Sequence, residues 1–274
     1  MVGNTAFRAR STQPSRSDAT LNGGFMAAST GLSGAATTWI VMVFAIAAFA
    51  QALSGIGFSL LCIPLLTLVS TRTDAVVSST MVGMVTQIWM AYKLRAEVSR
   101  EVVKWALPAS FVGMPVGIAI GHVVSDRALR VAVGVAVLFA VVAIQRGFAV
   151  RGQPSRVDTV AGFVNGVLST TTGTNGPPLV VALAGRSLQP GITRATLTAL
   201  FCGANIVTIA LFAADGSISS RAPVIALIGL VPALSVRAAS EGLFRKLNPA
   251  RYRTLVLTLL TVAGTVAIIN AFRT

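Results

Sequence analysis

Charge is what this chain has least of. Of its 274 residues, 11% are Asp, Glu, Lys or Arg, where a soluble domain carries roughly 25%. Apolar stretches of about 18–25 residues recur along it, the length that crosses a bilayer. Together these exclude an ordinary soluble globule. Histidine is scarcer still, with His122 the only one, so neither a zinc site nor a Ser-His-Asp set can be assembled. The two cysteines, Cys62 and Cys202, sit in apolar runs with no second thiol at ligand spacing. They read as small core residues rather than as a disulfide or metal ligands. The expectation is a protein with no metal, no cofactor and no catalysis.

Carboxylates are equally sparse. The eight are Asp18, Asp74, Glu97, Glu101, Asp126, Asp158, Asp215 and Glu241. Each falls in the N-terminal stretch, in a connection or near the end of an apolar run. With none mid-helix, there is no acid–base pair and no obvious proton relay inside a membrane. Aromatic residues make up 7%, which offers no cage for an amine. The Lys and Arg excess, a net charge of +14, does not point to nucleic acid. These residues occupy short connections between apolar runs, as membrane orientation requires, with no basic face interleaved with aromatics.

What the chain does have is a repeated plan. Residues 1–34 are polar and rich in Ser, Thr and Gly, with Arg8, Arg10 and Arg16, the composition of a disordered tail. Beyond them, "GIGFSLLCIPL" from Gly55 lies over "GTNGPPLVVAL" from Gly173. "WALPASFVGMPVG" around Pro108 lies over "GLVPALSVRAASE" around Pro232, and the segment after Asp126 lies over that after Pro249. The offset stays near 120 residues, the mark of an internal duplication. The expected layout is a tail over 1–34, a first membrane repeat over 35–148, a linker over 149–158 and a second repeat over 159–272. The expected fold is an all-α polytopic membrane protein with four to five helices in each half. If each short run after a break is a leg of its own, Lys and Arg divide about 14 to 8 between the two sides. Four legs per half give no contrast under the positive-inside rule. Five legs are favoured, and an odd number inverts the second half relative to the first.

Each half opens with a broken helix. The first break holds Gln51, Ser54, Gly55, Gly57 and Ser59. The second is "STTTGTNGPP", from Ser169 to Pro178, which contributes Thr172, Gly173, Thr174, Asn175 and Gly176. An interrupted helix at membrane depth must lie against protein or line a cavity, and matched interruptions in two halves point to a transporter's site. Glycines expose backbone N–H groups, and a restarting helix aims its positive end at the break. The two together make an anion cradle that needs no formal charge. Ser54, Gly55, Gly57, Ser59, Thr172, Gly173, Thr174, Asn175 and Gly176 are the candidate substrate contacts. Gln51, Ser78, Ser79, Gln87, Asn165, Thr196 and Asn205 are candidate path-lining residues. Gly113, Gly117 and Gly121 form a face for close helix packing. Arg237, Glu241 and Arg245 are expected where a helix leaves the membrane.

These residues resemble the sulfite exporter TauE/SafE family of membrane proteins. The resemblance rests on "GIGFSLLCIPLL" at 55–66 and "GTNGPPLVVAL" at 173–183 and covers about residues 37–272. It implies transport of sulfite or a related organosulfonate across the bacterial inner membrane. The chain departs from the family in having Phe58 and Ser59 in the first break, usually richer in glycine, and Thr174 and Asn175 in the second. A small oxyanion or carboxylate therefore remains the broader substrate class. The partners expected are that anion and the lipid bilayer, with a homo-oligomer compatible with both. An uncoupled anion channel and a non-transporting membrane subunit are the alternatives.

Overall fold

The structure, a computed structural model, describes residues 33–146, 153–173, 176–186, 188–244 and 248–273. Thr174 and Asn175, residues 1–32 of the expected tail and residues 149–152 of the expected linker lie outside them. Ten α-helices run through the described residues, which contain no strand: α1 (Gly34–Ser54), α2 (Phe58–Leu66), α3 (Arg72–Lys93), α4 (Arg100–Val123), α5 (Asp126–Gln145), α6 (Pro154–Thr172), α7 (Pro177–Gly185), α8 (Pro190–Ala214), α9 (Arg221–Phe244) and α10 (Pro249–Arg273). Their starts follow local chemistry. The Ser33 hydroxyl accepts the Ala36 N–H at 3.2 Å to open α1. Thr71 accepts the Asp74 N–H at 3.1 Å to open α3, with the acid itself in the first turn where the helix dipole favours it. Helices α6, α7, α8 and α10 each begin on a proline, at the position where a missing N–H costs nothing. The first turn of α6 thus occupies Pro154–Asp158, inside the expected linker.

Among the described residues, four helices are long and apolar enough to cross a membrane: Gly34–Ser54, Arg100–Gly121, Pro190–Ala214 and Arg221–Ser240. Large side chains on the outside are apolar, among them Val112, Phe139, Leu227 and Val231, as a lipid-facing surface requires. Side-chain bonds sort the helix ends into two levels. At one end of the bundle Trp39, near the start of α1, donates to the Leu65 carbonyl at the end of α2 at 2.9 Å. At that same end Ser219, before α9, bonds Asp74 at the start of α3. At the other end Arg186, after α7, meets Asp158 of α6 and Glu101 of α4. There too the Ser99 N–H, before α4, donates to Thr196 of α8 at 2.9 Å.

The helix pairings repeat in a regular way. Helix α4 packs on α6 as α9 packs on α1, and α9 on α3 as α4 on α8. Helix α5 packs on α7 as α10 on α2, while α3 pairs with α8 and α5 with α10.

The seam between α4 and α6 is a close backbone approach. A Cβ at Gly113 or Gly117 of α4 would overlap the carbonyls of Phe163 or Val167, and one at Gly162 or Gly166 of α6 those of Ala106 or Ser110. The Ser110 hydroxyl donates to the Gly162 carbonyl at 2.8 Å, and Thr170 to the Met114 carbonyl at 2.8 Å. Small residues let two backbones touch where lipid gives no hydrophobic drive. Gly121, the third member of the expected stripe, lies past the tight region, with Thr171 Cα 4.0 Å from where its Cβ would be. Replacing Gly166 with Ala should therefore destabilise the detergent-solubilised protein by about 1–3 kcal/mol, while Gly121→Ala should be near neutral. Thermal unfolding of the two variants side by side checks the seam, and equal melting temperatures would show that it opens without cost.

Candidate functional site

The two interruptions are built alike. Helix α1 closes on Gly55, left-handed at φ 78°, and α2 reopens from Gly57 at φ 94°. Helix α6 closes on Gly173 at φ 66°, and α7 reopens from Gly176 at φ 130°. Only glycine takes these conformations without strain, which is why both breaks carry a pair of them. The breaks also meet. A Cβ on Gly176 would lie 3.9 Å from the Ile56 side chain, so the first break and the start of α7 are neighbours inside the bundle.

Each break needs partners for the backbone groups that the helix no longer serves. In the first, the Ser54 hydroxyl lies 2.7 Å from the Ala50 and Ile56 carbonyls and accepts the Ile56 N–H at 3.2 Å. The Tyr252 hydroxyl donates to the Ser54 carbonyl at 2.8 Å. In the second, Asn165 accepts the Gly176 N–H at 2.9 Å through Oδ1. That bond fixes the amide's orientation and leaves Nδ2 as a buried donor with no hydrogen-bond partner among the described residues. Arg72, at the start of α3, donates to the Thr171 carbonyl near the end of α6.

The expected contacts divide accordingly. Ser54, Gly55, Gly57, Thr172, Gly173 and Gly176 frame the breaks, with Ser59 buried in the first turn of α2. Thr172 donates back to the Leu168 carbonyl at 2.9 Å, the ordinary behaviour of a helical threonine. Around Gly57 a Cβ would meet nothing within 4 Å, whereas Gly173 is pressed against Ile63 and Val76. Of the path-lining candidates, Asn165 reaches the break directly. Gln51 instead accepts a bond from Arg237 Nη1 at 2.6 Å. Thr196 is occupied by the Ser99 N–H. Asn205 lies against Gly83, and Ser78, Ser79 and Gln87 are buried along α3.

Arg237 is a correction. It was expected where α9 emerges from the membrane, yet it is 1% exposed. Gln51 draws it inward, and a long apolar stem suits such burial. Arg72, Arg194 and Tyr252, which sequence reasoning passed over, all stand at the breaks. Asp158 is buried too, bonded at 2.5 Å to Arg186, which also reaches Glu101 at 3.3 Å. Counting loop charges treats every Lys and Arg at the edge of an apolar run as solvent-facing, which hides residues that point inward. A cavity of about 280 Å³ opens beside the second break, lined by Arg72, Val76, Thr170, Thr171, Asp215 and Ser217 among others.

A family model described as "Sulfite exporter TauE/SafE" matches residues 39–266. No curated protein and no solved structure matches the chain. The Asn165 bond yields its own test. Asn165→Ala leaves the Gly176 N–H buried without an acceptor, which costs about 1–3 kcal/mol. The variant should melt correspondingly lower, and an unchanged melting temperature would mean that the second break does not lean on this side chain.

Proposed function

The chain belongs to the sulfite exporter TauE/SafE family of membrane transporters, since the matching family model spans most of its length, and on that premise we propose that it carries a small anion through the contact between its two helix breaks. The substrate class is sulfite or an organosulfonate, with other small oxyanions and carboxylates as close chemical neighbours. The observation that carries the reading is the Asn165 amide. Its Oδ1 is committed to the Gly176 N–H, so its Nδ2 donor is aimed elsewhere, fully buried, at the point where α7 begins. An anion there would accept from Nδ2 and sit on the positive end of α7. Ser59, Thr174 and Asn175 would add side-chain donors and Gly57 and Gly173 backbone ones, while Ser54, Gly55, Thr172 and Gly176, whose own donors are already committed, would frame the site.

The reading extends to architecture. The first five helices, α1–α5, and the last five, α6–α10, form two homologous halves, with 35–148 and 159–272 as the repeats. Matched breaks, matched pairings and alternating end levels support this. Five legs in each half invert the second half, the arrangement in which one half rocks against the other around a shared site. The more basic end, which carries Lys93, Arg95, Arg100, Lys104 and Arg186, faces the cytoplasm of a multi-pass protein of the bacterial inner membrane. There Lys93 lies over Trp89 at 5.3 Å and Lys104 over Trp105 at 5.6 Å, the pairing of aromatic belt and cation found at a lipid interface.

Melting temperature of the purified protein against sulfite, sulfate, thiosulfate, sulfoacetate, taurine, acetate and chloride tests the site. A ligand at 100 times its Kd adds about 2.7 kcal/mol to stability. One sulfur anion should raise the melting temperature, and Asn175→Leu should abolish both that shift and flux into liposomes while the protein still inserts. Retained flux would remove Asn175 from the site. Counterflow separates a carrier, which shows trans-stimulation, from a channel, which does not.

A further inference from the structure

The two halves share one short motif that the breaks do not include. "TRTDAVV" from Thr71 opens α3 and "TRATLTA" from Thr193 lies in the first turns of α8. They align with an offset of 122 residues, inside the drift of the other repeated segments. Arg72 and Arg194 therefore hold equivalent places. The structure gives them equivalent neighbours as well. Arg72 donates to the Thr171 carbonyl near the end of α6. The stem of Arg194 packs against Gly55, which caps the end of α1, with Cγ 3.2 Å and Cα 3.3 Å from where a Gly55 Cβ would lie. Each arginine thus joins the start of a helix in one half to the end of the broken helix in the other.

Their surroundings differ. Arg72 is half-buried and borders the 280 Å³ cavity. Arg194 is 1% exposed. Part of the difference is helical: α3 begins at Arg72, whereas α8 begins four residues before Arg194, at Pro190, which sets Arg194 one turn deeper. The rest is Tyr252. Buried at the start of α10, it holds the Ser54 carbonyl at 2.8 Å, next to the Gly55 against which Arg194 packs. Its counterpart in the first half is Leu129, which has no hydroxyl. The bond from Tyr252 to the first break therefore has no hydroxyl counterpart at the matching position of the first half.

We propose that Arg72 and Arg194 are the paired gate residues of the pathway, one for each face of the membrane, and that Tyr252 latches the Arg194 gate shut in the state this structure holds. An anion entering from the cavity meets a lining that holds Arg72 together with Asp215. In the opposite state Arg194 borders a matching cavity and takes the same part on the other face. Both arginines act by positioning the helix ends that form the breaks and by presenting positive charge to the arriving anion. This rests on the transport reading, but its test needs no substrate.

The test is cysteine labelling in the purified full chain in detergent, with Cys62 and Cys202 replaced by Ala and a hydrophilic maleimide as probe. Thr73 and Ala195 are the reporters, each one residue past its arginine. Thr73 is exposed and Ala195 is buried. Thr73→Cys should label and Ala195→Cys should be protected. Adding Tyr252→Phe removes the bond to the Ser54 carbonyl. It should raise labelling at Ala195→Cys about fivefold, the population shift that the loss of one buried hydrogen bond carries, and lower labelling at Thr73→Cys in step. Arg194→Gln should act in the same direction. If Ala195→Cys stays protected in both variants, the latch and gate are wrong. If it gains label while Thr73→Cys loses none, the two faces open independently and the pairing is wrong. Failure of the transport reading itself shows separately, as liposome flux of every anion tested remaining at the rate of empty vesicles.

Discussion

A backbone that stops being helical inside an apolar bundle must find partners for the N–H and C=O groups it sets free, and much else in this protein answers that demand. Each unsatisfied group in a hydrocarbon setting costs several kcal/mol. The first break is answered by Ser54 from within and by Tyr252 from α10. The second is answered by Asn165 from within α6 and by Arg72 from α3. The partners come from distant parts of the chain, so the breaks form only when the bundle does. Local sequence makes the breaks possible through their glycines. Tertiary structure makes them affordable.

The same demand explains the tight seam. Asn165 can serve Gly176 only if α6 is held at a fixed height and rotation. The glycines of α4 and α6 bring the two backbones into contact, and Ser110 and Thr170 bond across to carbonyls of the opposite helix. These contacts lie on the stretch of α6, Gly162 to Thr170, that also carries Asn165. A single helix thus has one face locked against α4 while another serves the break. The short helices α2 and α7 are held differently. Helix α2 is apolar all round and divides its side chains between two clusters, Leu60 in one and Phe58, Cys62, Ile63 and Leu66 in the other. A helix with no polar face belongs inside a bundle, and nine residues are too few to cross a bilayer alone.

Much of this is legible in the sequence, and the boundary of legibility has a physical cause. Helix breaks show because glycine and proline act locally: Gly55, Gly57, Gly173, Gly176 and Pro177 each mark a conformation that their own residue type permits or favours. The packing stripe shows because its period is that of one helix. Asn165 was legible only as a path-lining candidate near the second break, since its partner lies 11 residues on, across a change of direction. Arg194 was passed over and Arg237 was read as an edge charge because burial of an arginine depends on what arrives from other helices. Nothing within α9 announces that Gln51 will meet Arg237. The first turn of α6 was assigned to a linker for a related reason: Asp158 looks like a solvated charge until Arg186 is placed beside it.

The chemistry left at the breaks favours one sign of ligand. The groups that converge there and are not already committed are donors: the Asn165 amide N–H and the first N–H groups of a helix whose N1 and N2 positions are both proline. Prolines have no N–H to give, so the donors of α7's first turn are fewer than usual, and a side-chain amide beside the turn compensates. Among the described residues, Asp74 and Asp158 lie near the ends of the bundle, and Asp215 shares the lining of the cavity beside the second break with Arg72. A cation placed between the breaks would face N–H groups and the positive ends of two helices. An anion would face the same groups as ligands. Arginines set at the approaches rather than at the centre fit the proposed division: formal charge would draw an anion in, and neutral donors would hold it weakly enough to let it leave.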